Sequence, residues 1–161
     1  MSTQIELDSI HEAAHCVAAV LLGVTIANVE LRPGENPSGR CQFVNSKDKA
    51  DEVVVVAKAG KIAEQILDPD APGTPRRQDE RIARRAVRNR LDLIFPAPRA
   101  DYMRSAELEA LRLVAGHLPT IQALAQQLLE KGKMLGPEAT AFVRRQLSIS
   151  GQPDSATKPT A

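Results

Sequence analysis

Apolar residues near the start of the chain recur at intervals of three and four, which is the rhythm of one face of an α-helix. Thr3 and Glu6 have the spacing of a capping box, in which each side chain caps a backbone N–H of the first turn. Gly23 follows the last apolar residue and offers a C-terminal stop. The pattern predicts one continuous helix over residues 4–22.

The pattern then changes to one typical of strands. Residues 24–31 are rich in β-branched side chains and begin to alternate between apolar and polar positions. Turn residues follow at Arg32-Pro33-Gly34 and again over residues 36–39, and residues 40–44 resume an alternating pattern. These segments predict a β-hairpin.

The remainder of the chain alternates between amphipathic stretches and breakers. We predict further helices over residues 49–67, 74–93, 105–116, 119–131 and 137–147. Four consecutive valines over residues 53–56 make the first of these ambiguous, because β-branched residues have a lower helix propensity. Pro96 and Pro98 are expected to break the preceding helix, so that the next one begins at residue 105. Residues 132–136 are expected to form a turn. The sequence predicts a mainly α (α+β) fold with one small hairpin, a single domain over residues 1–147, and a disordered tail over residues 148–161.

Composition narrows the class of protein. The chain has 161 residues, 43% of them hydrophobic, but three Phe, one Tyr and no Trp, so the core must be built from aliphatic side chains. A net charge of +1 gives no reason to expect a nucleic-acid partner, and no apolar run approaches the length of a membrane span. No signal peptide is evident, and Cys16 and Cys41 do not make a disulfide framework. We therefore expect a cytoplasmic protein in which Cys16 is a small core residue.

Residues 11–15 read His-Glu-Ala-Ala-His, the one motif of this chain that indicates specific chemistry. On a helix, His11 and His15 share a face one turn apart, so both can direct a ring nitrogen at one zinc ion. Glu12 lies beside them and can act as the general base that takes a proton from water on the zinc. The alternative is that both histidines are ordinary surface residues, with Glu12 a capping partner for Ser9.

A zinc site of this kind needs a third protein ligand. His117 is the remaining histidine, but it stands near a predicted helix end without a neighbouring ligand, so a helix-terminal role is favoured. Two carboxylates are plausible: Asp79, near the start of the helix predicted from Thr74, and Glu64, on the helix before it. Asp79 could equally be an acid favoured near a helix N-terminus by the helix dipole, and Glu64 a solvated surface acid; spacing alone does not decide between them.

The order of several segments resembles the peptidase domain of the FtsH family of membrane-bound AAA+ zinc proteases. HEAAH is followed by VELRPG, GRCQF, AKAGKIAEQIL and TPRRQDERIARRA, and LPTIQALAQQLLEKGKMLGPEATAFV resembles the end of that domain. The resemblance covers roughly residues 4–145. It implies a zinc metallopeptidase in which Asp79, the aspartate of the TPRRQDERIARRA segment, is the third ligand beside His11 and His15.

The chain also departs from that family. Ala14 replaces the glycine of the family motif, and Gln78 replaces the asparagine before the ligand aspartate, which alters the support of the site. The phosphate-binding pattern GxxxxGK[ST] is missing, since Gly60-Lys61 is followed by Ile62. We therefore expect the peptidase part alone, acting on unfolded or flexible polypeptides. A separate ATPase partner and a homo-oligomer, both suggested by the family, stay open.

Two competing functions remain. One is a catalytically inactive zinc-binding interaction module of the same fold, and the other is a zinc hydrolase of small amides, for which a cysteine ligand upstream of the motif would be expected. A basic stripe of Arg81, Arg84, Arg85 and Arg88 at helical spacing adds a further feature. It could receive an acidic substrate, a phosphate-bearing partner or a subunit, or simply be a solvated helix face.

Overall fold

Six α-helices and three short strands form the part of the chain that the computed structural model describes, residues 2–34, 38–44, 47–70, 77–88, 90 and 95–151. The helices are α1 (Gln4–Leu21), α2 (Ala50–Leu67), α3 (Arg77–Ala86), α4 (Pro96–Gly116), α5 (Leu118–Lys131) and α6 (Gly136–Ile149). The strands are β1 (Ile26–Arg32), β2 (Ser38–Phe43) and β3 (Lys133–Leu135), and a 3-10 turn (Lys47–Lys49) precedes α2. The predicted mainly α fold with a small β element is confirmed.

Helix α1 runs through the middle of the molecule, packed by α2, α5 and the sheet. Thr3 and Glu6 form the predicted capping box, and Gly23 follows the helix with a φ of 68°, a left-handed conformation that suits glycine. Small side chains such as Ala13, Ala14 and Ala19 are fully buried along α1. Their small volume lets neighbouring backbones approach closely, which a core without large aromatic residues requires.

Helix α2 contains the four valines that made its prediction ambiguous. Val53, Val54 and Val56 are fully buried and Val55 is 9% exposed. Burying a valine side chain contributes about 1.5 kcal/mol, whereas the helix-propensity cost of valine is about 0.5 kcal/mol. Tertiary packing therefore outweighs the local preference, and the segment is helical.

The sheet has the strand order β2-β1-β3 and is antiparallel throughout. Val29 at the centre of β1 pairs with Cys41 on one side and with Met134 on the other. The predicted hairpin is present, but the predicted turn over residues 132–136 is wrong, because it contains β3. Met134 is 1% exposed. Its burial against β1 stabilises β3, which as a strand of three residues would not be stable by itself.

Two helix boundaries also differ from prediction. Helix α4 begins at Pro96, so Pro96 and Pro98 start it instead of breaking the chain; a proline in the first turn lacks only an N–H that the helix does not use. Helix α3 ends at Ala86, where the backbone N–H of Arg88 bonds to the carbonyl of Arg85, three residues back. Its predicted start at Thr74 and end at residue 93 lie outside the described residues.

The end of the described chain follows the prediction more closely. Helix α6 continues to Ile149, two residues past the expected end, and residues 152–161 of the predicted tail lie outside the described part. None of the helices described is both long and apolar enough to cross a membrane.

Candidate metal centre

His11 and His15 are both interior residues, with 1% and 3% of their surface exposed. Their rings meet edge to face, 4.6 Å apart between centroids and at 82° between planes, as expected for positions one turn apart on α1. The alternative of two ordinary surface histidines is therefore wrong. Glu12 does not cap Ser9 either, since Thr3 is the N-cap of α1 and Ser9 lies inside the helix.

The Nδ1 atom of each ring is held by a partner on α2. His15 Nδ1 lies 2.7 Å from the carbonyl oxygen of Val56, and His11 Nδ1 lies 2.8 Å from Oε1 of Glu64. A carbonyl can only accept, so Nδ1 of His15 donates, and in the neutral ring Nε2 presents its lone pair on the opposite side. Partners of this kind are what fix metal-binding histidines in orientation.

Asp79 reaches the Nε2 side of both rings. Its Oδ2 lies 2.9 Å from Nε2 of His11, and its Oδ1 lies 3.5 Å from Nε2 of His15. Ligand atoms about 2.0–2.1 Å from a tetrahedral zinc ion are about 3.3 Å apart, so these separations are close to those that zinc requires. One ligand atom from each of His11, His15 and Asp79 lies within 4.8 Å of the others. The three residues fit a metal ion.

Helix α3 carries Asp79 to this position. Ala83 is fully buried on the inner side of α3, and Lys58 of α2 forms an ion pair with Glu80 at 3.0 Å. These two contacts tie the start of α3 to α2 beside the histidines. The side chain of Asp79 stays 19% exposed, so the cluster is open to solvent on this side.

In the absence of a metal ion, the candidate ligands are linked to one another by hydrogen bonds. Burial alone would lower the pKa of His11, but hydrogen bonds with Asp79 and Glu64 outweigh it and raise that pKa to about 9. Burial would raise the pKa of Asp79, yet the neighbouring charge of His15 and the hydrogen bond with His11 hold it well below its usual range. His11 is then an imidazolium with a carboxylate at each nitrogen, and a metal ion at Nε2 would take the place of its proton.

Glu12 lies in the same site, 4% exposed, and lines a cavity of about 190 Å³ together with His11, His15 and Asp79. The backbone of Gly39 on β2 closes over it. A β-carbon added at Gly39 would lie 2.5 Å from Cγ of Glu12 and 2.8 Å from its Oε1. Only a residue without a side chain fits there, so β2 and Glu12 are in direct contact.

Glu64, the other candidate ligand, is placed differently. It is 6% exposed and bonds to Nδ1 of His11, on the side of the ring away from Asp79. The interpretation of Glu64 as a surface acid is therefore wrong, and its place is that of a residue that orients His11. Spacing could not show this, because it depends on how α2 packs on α1.

Gly60 of α2 contributes to the site by having no side chain. Ala59 and Gly60 form a pair of small, buried residues on α2. A β-carbon at Gly60 would lie 2.6 Å from Cδ2 and Nε2 of the His11 ring. The neighbour that needs the space is therefore a candidate ligand itself.

The remaining residues singled out from the sequence lie elsewhere. His117 stands between α4 and α5 and donates through Nδ1 to the carbonyl of Leu113 at 2.8 Å, the favoured helix-terminal role. Cys16 is a fully buried core residue, as predicted, and its Sγ lies 3.4 Å from that of Cys41. This hydrogen bond, together with burial, raises the pKa of the Cys41 thiol, and the two cysteines form no disulfide.

Neither a protein-family model nor a curated protein matches this chain. The resemblance to FtsH peptidases therefore rests on the motifs quoted above and stays a prediction, as does the assignment of zinc.

Proposed function

We propose that this protein is a zinc-dependent metallopeptidase that hydrolyses peptide bonds in unfolded or flexible polypeptides. The observation that carries the proposal is the convergence of His11 and His15 Nε2 with the carboxylate of Asp79, at 2.9 and 3.5 Å, in a cavity that Glu12 also lines. Two neutral imidazoles and one carboxylate form a ligand set typical of catalytic zinc sites, which leave a position open. When bound, zinc supplies a Lewis acid that polarises a carbonyl and makes water acidic near neutral pH.

The residues of the chain divide the remaining tasks. His11, His15 and Asp79 would hold the metal ion. Glu64 and the carbonyl of Val56 orient the two rings from behind, so the ligands need little rearrangement to bind. Glu12 takes the proton of the attacking water as general base and returns it to the nitrogen of the leaving amine as general acid.

The substrate class follows from access and from the motifs of the sequence. The cavity over Glu12 has a volume of only about 190 Å³, so a peptide bond reaches it from an extended segment, not from a folded surface. The chain carries no GxxxxGK[ST] motif to couple nucleotide hydrolysis to unfolding. These 161 residues therefore supply no nucleotide-driven unfolding of their own.

The test is Glu12→Gln in the full chain. The amide keeps the shape of the carboxylate but cannot accept a proton, so we expect cleavage of a denatured protein to be lost while zinc remains bound. Zinc is measured by elemental analysis, and cleavage by wild-type protein is measured with a chelator and after zinc is restored. A stably folded protein is the control substrate and should resist the wild type.

Three outcomes would overturn the proposal in different ways. Wild-type protein that binds zinc and cleaves nothing would be the interaction module. Protein that never retains zinc would not be a zinc enzyme of any kind. Full activity in Glu12→Gln would remove Glu12 from the role of base.

A further inference from the structure

A second cavity, of about 360 Å³, continues from the candidate metal centre. It lies between residues 40–43 of β2 and the face of α3 that presents Gln78, Arg81, Ile82 and Arg85, and we refer to it as the β2–α3 groove. Arg40, Cys41 and Gln78 line both this groove and the cavity over Glu12. A chain lying in the groove would therefore lead directly to Glu12.

One wall of the groove is the edge of the sheet. Successive side chains of a strand point to opposite faces, so residues 40–43 can all line one cavity only where it follows the strand edge. Strand β1 is paired on both sides over Asn28 to Glu30, whereas in the described parts of the chain β2 pairs only with β1. The outer edge of β2 can accept an extended peptide as an additional strand.

The other wall is basic. Arg81 and Arg85 of α3 and Arg40 of β2 line the groove, and none of the lining residues that the structure describes is acidic. None of the three arginines pairs with an acid of the described chain. Arg84, in contrast, lies outside the groove and is 4.0 Å from Glu80. Three unpaired guanidinium groups repel one another, and an anionic ligand would relieve that repulsion.

We infer that the β2–α3 groove selects extended peptides that carry acidic side chains next to the segment presented to Glu12. The inference rests on the proposed function and adds the chemistry of the substrate. A peptide is favoured over a nucleic acid because, among the described residues, the groove has an unpaired strand edge and a single aromatic side chain, Phe43, for stacking on bases.

Binding tests the inference without any cleavage. Three fluorescently labelled peptides share one sequence except at the positions next to the segment presented to residue 12, which hold Glu, Gln or Lys. Zinc-loaded Glu12→Gln protein is titrated into each peptide, and fluorescence anisotropy is recorded at low and high salt. We expect the Glu peptide to bind about tenfold more tightly than the Gln peptide and the Lys peptide to bind most weakly, with the preference shrinking as salt rises.

The double substitution Arg81→Gln/Arg85→Gln should remove most of this preference. Arg84→Gln on the same helix is the matched control and should keep it. Glutamine has a helix propensity close to that of arginine, and thermal unfolding shows whether both variants remain folded.

Equal binding of the three peptides would overturn the inference. So would a short single-stranded RNA that binds more tightly than the Glu peptide and depends on the same arginines, because the groove would then be a nucleic-acid site. If wild-type protein prefers the acidic peptide but cleaves nothing, the proposed peptidase activity is wrong and the proposed selectivity of the groove stands. If it cleaves without that preference, the selectivity is wrong and the activity stands.

Discussion

The two sides of the candidate metal centre are built differently. On one side, α1 and α2 hold His11, His15 and Glu64 in the interior, each less than 7% exposed. On the other side, Asp79 comes from α3, a helix whose only buried residue is Ala83. The interior side is part of the core, whereas the α3 side lies on the surface and is attached to the core.

The difference has a physical reason and a consequence. A buried polar group without a partner costs about 1–3 kcal/mol, so the interior rings must be hydrogen-bonded whether or not a metal ion is present. A residue on an exposed helix has no such requirement. We therefore expect changes on the α1–α2 side to alter both folding and metal binding, and changes on the α3 side to alter mainly metal binding.

Gly60→Ala, on the α1–α2 side, should have the largest effect on stability. If it had none, the two sides of the centre would not differ in the way described above. In an open helix this substitution stabilises by about 1 kcal/mol. Here the new methyl group would lie 2.6 Å from the His11 ring, so we expect a loss of about 1–3 kcal/mol in the free energy of unfolding together with weaker zinc binding. Denaturant titration and elemental analysis measure the two effects.

Gly116→Ala is the matched control, because nothing lies within 4 Å of the position a β-carbon would take there. It should leave stability equal or slightly higher and zinc content unchanged. A Gly60→Ala protein as stable as this control, with normal zinc, would mean that α2 does not constrain His11.

Asp79→Asn should affect metal binding without unfolding the protein. A neutral amide replaces the anionic oxygen of a site whose other ligands are neutral rings, and we expect zinc affinity to fall by more than about 100-fold, beyond the loss typical of groups that only orient ligands. Cooperative unfolding should persist, since Ala83 and the Lys58–Glu80 pair are untouched. Competition with a chromophoric chelator gives the affinity. Asp101→Asn, the same change at an exposed residue of α4, is the control that should bind zinc normally.

Glu64→Gln should have the smallest effect of the three. The amide oxygen can still accept the N–H of His11, but its negative charge is lost, so we expect zinc affinity to fall by about tenfold. Cleavage at saturating zinc should be preserved. A larger loss of zinc in this variant than in Asp79→Asn would exchange the roles of the two carboxylates.

Several elements were predictable because their signals are local. The capping box of Thr3 and Glu6, the helical rhythm that follows and the stop at Gly23 lie within one segment, and α1 forms where they indicate. The pairing of His11 with His15 follows from the geometry of a single helix. Cys16 could be assigned to the core because it points away from the face that the histidines share.

The errors fall where the deciding contact is distant in sequence. Strand β3 has the local pattern of a turn, and only the pairing of Met134 with Val29 makes it a strand. The start of α4 is the exception, because proline in the first turn of a helix is a local signal that was interpreted as a break. Gly39 leaves room for the side chain of Glu12, and Gly60 leaves room for the ring of His11; both contacts are known only from the tertiary structure. A glycine in the sequence does not indicate which side chain will pack against it.

The sequence by itself determined α1, the shared face of His11 and His15, the position of Glu12 beside them and a short set of carboxylates for the third ligand. These follow from helical periodicity, which needs no more than neighbouring residues. The tertiary structure decided which carboxylate faces which ring nitrogen, placing Asp79 at Nε2 and Glu64 at Nδ1 of His11. That choice depends on how α2 and α3 pack around α1, and packing brings together residues 53 and 68 positions apart, a separation over which sequence spacing carries no geometric information.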